Sequence, residues 1–207
     1  ATFDPQKLAS GVYRSGKSAT EGRVLGIAHG KTATISIERN GATVSLRTNG
    51  KPDASAMPGS TGPHALDEVT MALTGLLPLM MHDNPARVAN IGFGAGLTGT
   101  LILGDPRVGQ MDTVEIEPRV VELARHFAPL NTPVYDDPRS QTHIDDAKSF
   151  FAVRGRTYDL IVSEPSNPWV SGVAGLFSVE FYRHVSRYLN NGGLFAQWLQ
   201  IYETHPD

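Results

Sequence analysis

The first third of the chain alternates between apolar and polar positions, which is the two-residue period of a strand with one buried face. Asn40-Gly41 separates two such runs, and this dipeptide is a strong hairpin signal. We predict a small antiparallel β-meander with three strands, Arg23–His29, Lys31–Glu38 and Ala42–Thr48. The polar residues 1–22 are interpreted as a loose lead-in. The stretch Lys51–Pro63, rich in proline and glycine, is interpreted as a linker or an active-site loop.

A helical period follows at Asp67–Met81. Asp67 and Glu68 near its start suit the positive end of the helix dipole, and Pro78 should kink or end the helix. From Arg87 onward, short apolar runs alternate with helical segments. The predicted strands are Arg87–Gly92, Met111–Glu117, Thr142–Asp145, Tyr158–Ser163 and Gly193–Leu199. The predicted helices between them are Leu97–Leu103, Pro118–Phe127, Ala147–Arg154 and Ser178–Leu189.

This alternation predicts an α/β fold, a Rossmann-like doubly wound parallel sheet preceded by the small β-meander. We expect two domains, residues 1–62 with the lead-in and meander, and residues 63–207 with the nucleoside-binding sheet. The chain stops soon after the fifth parallel strand, so we expect further C-terminal strands that it lacks.

Composition narrows the classes of function. Hydrophobic residues make up 40% and charged residues 19%, which indicates a globular chain. The net charge of −3, with no block of like charge, gives no electrostatic footprint for nucleic acid. The longest apolar stretch, near Met71–Met81, is too short to span a bilayer. There is no cysteine and the histidines lack metal-ligand spacing, so we expect no disulfide and no metal.

The segment Arg87–Thr98 is interpreted as a strand that turns through Gly92, Gly94 and Gly96 into a helix. Such a turn brings backbone N–H groups and a helix N-terminus up to a ligand. The next predicted strand, Met111–Glu117, ends in acids, and Glu115 lies roughly 20 residues after the glycines, where a ribose-binding carboxylate belongs. The alternatives are an ordinary strand-to-helix turn and a solvated strand end.

Two further polar clusters follow the next parallel strands, at the sheet edge where ligands bind. Asp145 and Asp146 follow the third strand. Asp146 is expected to accept a hydrogen bond from an adenine amino group. The alternative is that it caps the helix that begins at Ala147, and a third option is that Asp145 takes one of these roles and Asp146 the other.

Ser163-Glu-Pro-Ser-Asn-Pro-Trp169 follows the fourth strand, and its two prolines make it rigid. Glu164 is the predicted general base, Asn167 its companion, and Trp169 could stack on an amine. The plain alternative is a connecting loop with a solvated glutamate. Val170–Gly175 is interpreted as a mobile flap.

Together these motifs resemble the spermidine synthase family, aminopropyltransferases built on the class I S-adenosylmethionine methyltransferase fold. The motifs that carry the resemblance occur in the family's order: Gly92-Phe-Gly-Ala-Gly96, Val114-Glu-Ile-Glu117, Asp136-Asp-Pro-Arg139, Asp146, Tyr158-Asp-Leu-Ile-Val162, Gly175-Leu-Phe-Ser178 and Gly192–Gln197. The sequences of Ser163–Val170 and Gln197–Glu203 are most similar to those of the bacterial branch whose synthase-like domain is fused to membrane helices.

The resemblance implies a site for each part of the reaction. The catalytic residues are Glu164 and Asn167. The nucleoside-binding residues are Gly92, Gly94, Ala95, Gly96, Glu115, Ile116, Asp145, Asp146, Ala147 and Ser163. The substrate-binding residues are Glu68, Trp169 and Gln197. The co-substrate is decarboxylated S-adenosylmethionine or S-adenosylmethionine, without a metal, and the partner is a polyamine or another small amine.

Two departures from the family pattern leave alternatives open. Ala95 stands where the family carries an aspartate for the ammonium of the decarboxylated donor, and we expect this change to make room for the carboxylate of intact S-adenosylmethionine. Glu164 and Asn167 replace a pair of aspartates. A lyase or a methyltransferase acting on the intact donor, and a non-catalytic nucleoside-binding domain, therefore stand beside aminopropyl transfer.

Association and location are further expectations. We expect a homodimer and a cytoplasmic location. The resemblance to the fused branch adds the alternative of a domain on the cytoplasmic face of a membrane protein, with no membrane segment in this chain.

Overall fold

The computed structural model describes residues 4–10, 22–61, 64–166 and 173–199. Two sheets make up its framework. The strands of the first are β1 (Arg23–His29), β2 (Thr34–Asn40), β3 (Thr43–Thr48) and β4 (Lys51–Ala56). Those of the second are β5 (Arg87–Ile91), β6 (Gln110–Glu115), β7 (Ser140–Ile144), β8 (Tyr158–Ser163) and β9 (Leu189–Gln197). The helices are α1 (Pro5–Ala9), α2 (Leu66–Met81), α3 (Leu97–Leu103), α4 (Pro118–Leu123), α5 (Thr132–Asp136), α6 (Ala147–Arg154) and α7 (Val179–Val185).

The predicted meander is confirmed, with one strand more than expected. Neighbouring strands β1 to β4 pair antiparallel in chain order. Gly41 takes a positive φ of 58° in the hairpin turn predicted at Asn40-Gly41. The interpretation of Lys51–Pro63 as a linker or an active-site loop was wrong about the secondary structure of its first half, because Lys51–Ala56 forms β4. Pro52 is tolerated there because β4 is an edge strand.

The parallel sheet is confirmed as doubly wound. Its strand order is β7-β6-β5-β8-β9, and every neighbouring pair is parallel. Alternate residues of β5 face opposite layers: Val88 packs with α2, α3 and α4, whereas Ala89 packs with α6 and α7. The strand order reverses direction between β5 and β8, the switch point where open α/β sheets bind ligands.

Several local details differ from the sequence-based expectations, among them the bounds of the last helix and strand, since α7 ends at Val185 and β9 begins at Leu189. Residues Pro5–Ala9 of the expected lead-in form α1, and Ala174–Phe177 at the end of the expected flap form a 3₁₀ turn. Pro78 does not end α2, which continues to Met81. The short helix α5 was not predicted.

The meander and the parallel sheet share one core. Ile35, Ile37 and Leu46 of the meander lie in the same buried cluster as Val88 and Phe127. The domain boundary expected near residue 62 stays a prediction, and the core runs across it without a break. The meander is therefore packed in a defined position against one edge of the parallel sheet.

Candidate active site

A cavity of about 600 Å³ lies between the meander and the carboxyl ends of the parallel strands. Its size is within the usual range for a small-molecule site. Of the residues predicted from sequence, the cavity is lined by Gly92, Gly94, Glu115, Ile116, Asp145, Asp146, Ala147 and Glu164. The further charged and polar lining residues are Lys31, Thr32, Thr48, Lys51, Asp53, Asp67, Thr70, Glu117, Ser166 and Trp198. The two predicted key carboxylates, Glu115 and Glu164, thus share one cavity.

The glycine turn has the conformation that only glycine adopts easily. Gly92, Gly94 and Gly96 have φ values of 95°, 52° and 78°. A Cβ on Gly92 would lie 2.8 Å from the carbonyl oxygen of Glu164, so this glycine also lets the two loops approach. The buried Asn131 donates from Nδ2 to the carbonyl of Ala95 at 2.8 Å and fixes the turn from below. Asn131 was not predicted from the sequence, because it lies 36 residues after Ala95 in the chain.

Ala95 and Gly96 do not line the cavity. The Ala95 methyl is fully buried in the apolar core. Ala95 therefore does not face the cavity, and its small side chain does not provide the expected space for a donor carboxylate there. Gly96 precedes α3 as its N-cap residue, and a Cβ there would come within 3.0 Å of Asn131.

Glu115 is held at the end of β6 by the backbone of two loops. Its Oε2 accepts a hydrogen bond from Phe93 N and its Oε1 accepts one from Glu117 N, both at 2.9 Å. Burial raises the pKa of Glu115 above its ordinary value, against the lowering effect of these N–H donors. Each carboxylate oxygen has a second lone pair, so Glu115 is able to accept from a diol.

Glu117 joins the meander to the parallel sheet. Its Oε2 accepts from Thr32 N at 3.0 Å and from Thr32 Oγ1 at 2.8 Å, and its Oε1 accepts from Arg119 N at 3.1 Å. Burial works to raise its pKa, but these hydrogen bonds outweigh burial and the pKa of Glu117 is lowered. This carboxylate therefore fixes the position of the β1–β2 turn at the edge of the cavity.

The helix-cap role, one of the two that were open, falls to Asp146. Asp146 is the N-cap of α6, since its Oδ1 accepts from Ser149 N at 3.1 Å. Asp145 accepts from Asp146 N at 2.8 Å, and both residues line the cavity with Ala147. The cap uses one oxygen of Asp146, which leaves Oδ2 for a ligand.

Glu164 is a cavity carboxylate whose pKa is raised to near neutral. It follows β8, and its Oε2 lies 2.6 Å from the Thr98 hydroxyl, which donates to it. Burial raises the pKa of Glu164 to about 7; the Thr98 hydrogen bond lowers it and the charge of Asp67 raises it further. A carboxyl group that titrates near neutral pH is suited to take and release a proton. Thr98 lies in the predicted glycine-turn segment, but its contact with Glu164 was not foreseen.

The acid on α2 that reaches the cavity is Asp67 and not Glu68. The buried Glu68 carboxylate accepts from Ala65 N at 2.8 Å and from Met57 N at 3.0 Å, and it contacts His64. The substrate-binding role predicted for Glu68 thus finds no support in its position, since this side chain caps the helix. The sequence signal was an acidic pair, and the helix turns only one of the two toward the cavity.

The remaining predicted residues fall in three groups. Ser163 is fully buried and does not line the cavity. Gln197 uses both ends of its amide on protein partners, accepting from Tyr182 OH at 2.7 Å and donating to the Leu176 carbonyl at 3.1 Å. Asn167 and Trp169 lie outside the described residues. Trp198, beside Gln197, lines the cavity instead.

Among the polar cavity residues that were not foreseen from the sequence, Lys51, Asp53 and Ser166 form one cluster. Lys51 forms an ion pair with Asp53 on β4, and Ser166 Oγ donates to Asp53 Oδ1 at 2.8 Å. Lys51 and Asp53 were missed because Lys51–Pro63 was interpreted as a linker or an active-site loop and not as a strand, and the contact of Ser166 with them spans more than 100 residues. Among the described residues no group of three or more His, Asp or Glu side chains is arranged to hold a metal ion. In the same part of the chain, no helix combines the length and the apolar character needed to cross a membrane.

The sheet order, the glycine turn and the carboxylate after β6 define the class: a Rossmann-like α/β domain of the methyltransferase type. Within that class, residues 69–205 match the family model described as the spermine/spermidine synthase domain. The match covers more than half of the chain, so the chain belongs to the spermine/spermidine synthase family.

Relatives and solved structures agree with this assignment. The polyamine aminopropyltransferase of Desulforudis audaxviator is 33% identical over 120 residues, 58% of this chain and 43% of that protein. The polyamine aminopropyltransferase of Aeropyrum pernix is 31% identical over 155 residues, 73% of this chain and 49% of that protein. The chain spans about half the length of these curated relatives.

Among solved structures, a spermidine synthase in complex with the transition-state analogue AdoDATO superposes with a TM-score of 0.74 at 24% identity, covering 84% of this chain and 57% of that one. The spermidine synthase of Thermotoga maritima gives 0.71 at 24% identity, with 84% and 56% covered. At this identity the likeness establishes the fold.

Proposed function

We propose that this protein transfers an aminopropyl group from decarboxylated S-adenosylmethionine to an amine of a polyamine and releases 5′-methylthioadenosine. Family membership supports the proposal, as do the names of the curated relatives and the analogue bound by the structural neighbour. The observation that carries it is local: Glu164, with its pKa near 7, shares a cavity with the ribose-type carboxylate Glu115.

In this proposal the donor lies across the tips of the parallel strands. Glu115 accepts hydrogen bonds from the ribose hydroxyls, and Asp146 Oδ2 accepts one from the adenine amino group. Ile116 contacts the adenine face, and the backbone of Gly92 and Gly94 approaches the sulfonium arm. These assignments use only residues that line the cavity.

The chemical step needs one base and correct alignment. The neutral nitrogen of the acceptor attacks the propyl carbon bonded to the sulfonium sulfur, and a C–N bond forms. The C–S bond breaks with its electron pair passing to sulfur, which becomes the neutral thioether of 5′-methylthioadenosine. The proton released from the nitrogen passes to the ionised Glu164, whose other oxygen is held by Thr98. Fixing both reactants in one cavity supplies the alignment.

The acceptor is held by charge in this scheme. Asp67 lies on the α2 side of the cavity, close enough for its charge to raise the pKa of Glu164, and it would pair with the distal ammonium. An ammonium removed from water is costly to bind without such a partner. The roles proposed for Asn167 and Trp169 in holding the amine rest on the sequence alone.

Product analysis tests the proposal against its alternatives. The protein is incubated separately with decarboxylated and intact S-adenosylmethionine, with and without putrescine, and the products are identified by mass. We expect methylthioadenosine together with an enlarged polyamine, only when the decarboxylated donor and the amine are both present. Methylthioadenosine from the intact donor without an amine would show a lyase, and S-adenosylhomocysteine a methyltransferase. Donor binding without any product would leave a binding domain.

We propose further that the protein is a homodimer joined through α2. Five apolar side chains recur at helical spacing on its outer face, and we call them the α2 stripe: Leu66, Val69, Leu73, Leu77 and Met80. They are 86, 50, 50, 50 and 79% exposed. An interface of standard size buries about 800 Å² per partner, and the α2 stripe would supply an apolar part of it along the whole length of the helix. In an antiparallel pair each α2 dipole also opposes its partner's.

The predicted cytoplasmic location and the predicted attachment to a membrane protein stay predictions. Fractionation of cells that produce the full protein, followed by detection in the supernatant or the membrane pellet, separates the two.

A further inference from the structure

The unforeseen cluster of Lys51, Asp53 and Ser166 closes one wall of the cavity, and we call it the clasp. Lys51 Nζ pairs with Asp53 Oδ1 and donates to Ser166 Oγ at 3.3 Å, and Ser166 Oγ donates to Asp53 at 2.8 Å. The Lys51 and Asp53 side chains are only 14% and 13% exposed. All three residues line the cavity. The clasp is thus an ion pair that faces the ligand with no net charge.

The clasp lies at the reactive end of the cavity. Ser166 comes two residues after Glu164 in the chain. Strand β4 passes over the glycine turn, since a Cβ on Gly94 would lie 3.9 Å from the Ala54 methyl. An acceptor amine placed at Glu164 would therefore extend past the clasp or toward Asp67.

This arrangement decides where a second positive charge on the acceptor is tolerated. Asp67 is a carboxylate that a distal ammonium is able to reach. Asp53 is a second carboxylate, but the Lys51 ammonium already neutralises it. An additional ammonium near Asp53 would displace Lys51 or remain close to its like charge, and either alternative weakens binding.

Resting on the proposed function, we propose that Lys51 is a specificity residue that limits the acceptor to a diamine and disfavours a triamine. The diamine presents one nitrogen to Glu164 and one ammonium to Asp67. The second ammonium of a triamine meets the clasp, whose carboxylate is engaged by Lys51. Removing the Lys51 charge frees Asp53 as a second ammonium site.

The test is the variant Lys51→Met, which keeps most of the apolar stem and removes the cation. The readout is the ratio of kcat/KM for spermidine to that for putrescine. We expect this ratio to be well below one in the native protein and to rise about tenfold or more in Lys51→Met, because a like charge is replaced by an unpaired carboxylate. Lys51→Arg keeps the charge and should keep the ratio.

Two controls separate charge from structure. Lys31→Met removes a cation near the Glu117 end of the same cavity and should leave the ratio unchanged. Ser166→Ala loosens the clasp without removing charge and should lower kcat/KM for both amines alike. A parallel fall for both amines in Lys51→Met, with the ratio preserved, would mean that Lys51 only supports the loop, and the proposal would be overturned.

A binding measurement keeps this inference independent of the proposed activity. Calorimetric titration of putrescine and of spermidine into the protein saturated with methylthioadenosine gives the same ratio as dissociation constants. We expect Lys51→Met to tighten spermidine about tenfold relative to putrescine, whether or not transfer is observed. Absence of aminopropyl product with a shifted binding ratio would count against the proposed function alone. An unshifted binding ratio would count against Lys51 as the specificity residue.

Discussion

The behaviour of the candidate site depends most on the protonation of Glu164. Its pKa of about 7 results from removal from water, and the hydrogen bond from Thr98 only partly opposes that effect. Near neutral pH both the acid and its conjugate base are populated, which suits one group that takes a proton from the amine and returns it to water. A solvated glutamate would be ionised throughout this range but would be a weaker base.

The pH profile tests this role. Because the ionised form of Glu164 is the active one, kcat/KM should rise with pH through about 7. Glu164→Gln should lose about 10²- to 10⁴-fold in kcat and retain donor affinity.

Asp67→Asn removes a negative charge that raises the pKa of Glu164, so the acidic limb of its profile should move to lower pH.

The position of the limb, measured with saturating donor, is the decisive quantity for Asp67→Asn. Loss of ammonium binding lowers the height of the profile but does not move its midpoint. An unmoved midpoint would show that Asp67 does not interact with the base. Activity of Glu164→Gln equal to that of the native protein would remove Glu164 from the mechanism.

At this scale the sequence identified the residues whose neighbours along the chain reveal them. Glu115 was found from its distance to the glycines, and Glu164 from the rigid loop after a buried strand. Asp67, Lys51 and Thr98 were missed as site residues because their partners lie 66 or more residues away or on a misassigned strand. Asp67 and Glu68 are neighbours on one helix but point in different directions. The sequence alone does not show which of the two faces the cavity.

Among the elements, the turn between β1 and β2 links the two sheets. Gly30 lies at its start, and a Cβ there would come within 2.1 Å of the Glu117 carboxylate. That carboxylate receives both Thr32 hydrogen bonds, so the turn, the cap of α4 and the cavity edge depend on one side chain.

Gly30→Ala should therefore displace the Glu117 carboxylate. We expect a loss of about 1–3 kcal/mol in the free energy of unfolding, because a buried acceptor and its donors lose their partners. Glu117→Ala alone should cost a similar amount. The double variant should cost much less than the sum, since the clash and the hydrogen bonds involve the same group. Urea denaturation of the four proteins measures this; additive costs would contradict the link.

Element prediction succeeded where local signals agreed and failed where two signals competed. Asn40-Gly41 predicted its hairpin, and Asn49-Gly50 carries the same signal with φ values of 50° and 78°. The second hairpin was missed because Pro52 and the later prolines favoured a linker. Only the sheet order shows that β4 is an edge strand, where proline costs no ladder hydrogen bond.

For the whole molecule, the alternation of strands and helices was sufficient to predict the parallel sheet. It did not predict how the meander packs, because the contact between Ile35, Leu46 and the α4 region joins residues far apart in sequence. That packing closes the cavity and places the clasp over the glycine turn. The site is therefore shared between two sheets, although most of its recognisable motifs lie on one.

The α2 stripe is an exposed apolar surface of the described residues. Leu73 and Leu77 are each half exposed at its centre, so the variant Leu73→Glu/Leu77→Glu should disrupt association with little loss of core packing. We expect the native protein to elute at the mass of a dimer in light scattering and the double variant at that of a monomer. The residues that line the cavity belong to one chain, so the activity per chain should persist in the monomer.

Val153→Glu provides the matched control, because Val153 is 80% exposed on α6, at the opposite face of the parallel sheet. It adds the same charge to an apolar surface position and should leave the dimer mass unchanged. A native protein that remains monomeric at every concentration would rule out the α2 stripe as an interface between copies. So would a double variant that keeps the dimer mass. Dissociation by Val153→Glu as well would move the interface away from α2, because the two faces lie on opposite sides of the sheet.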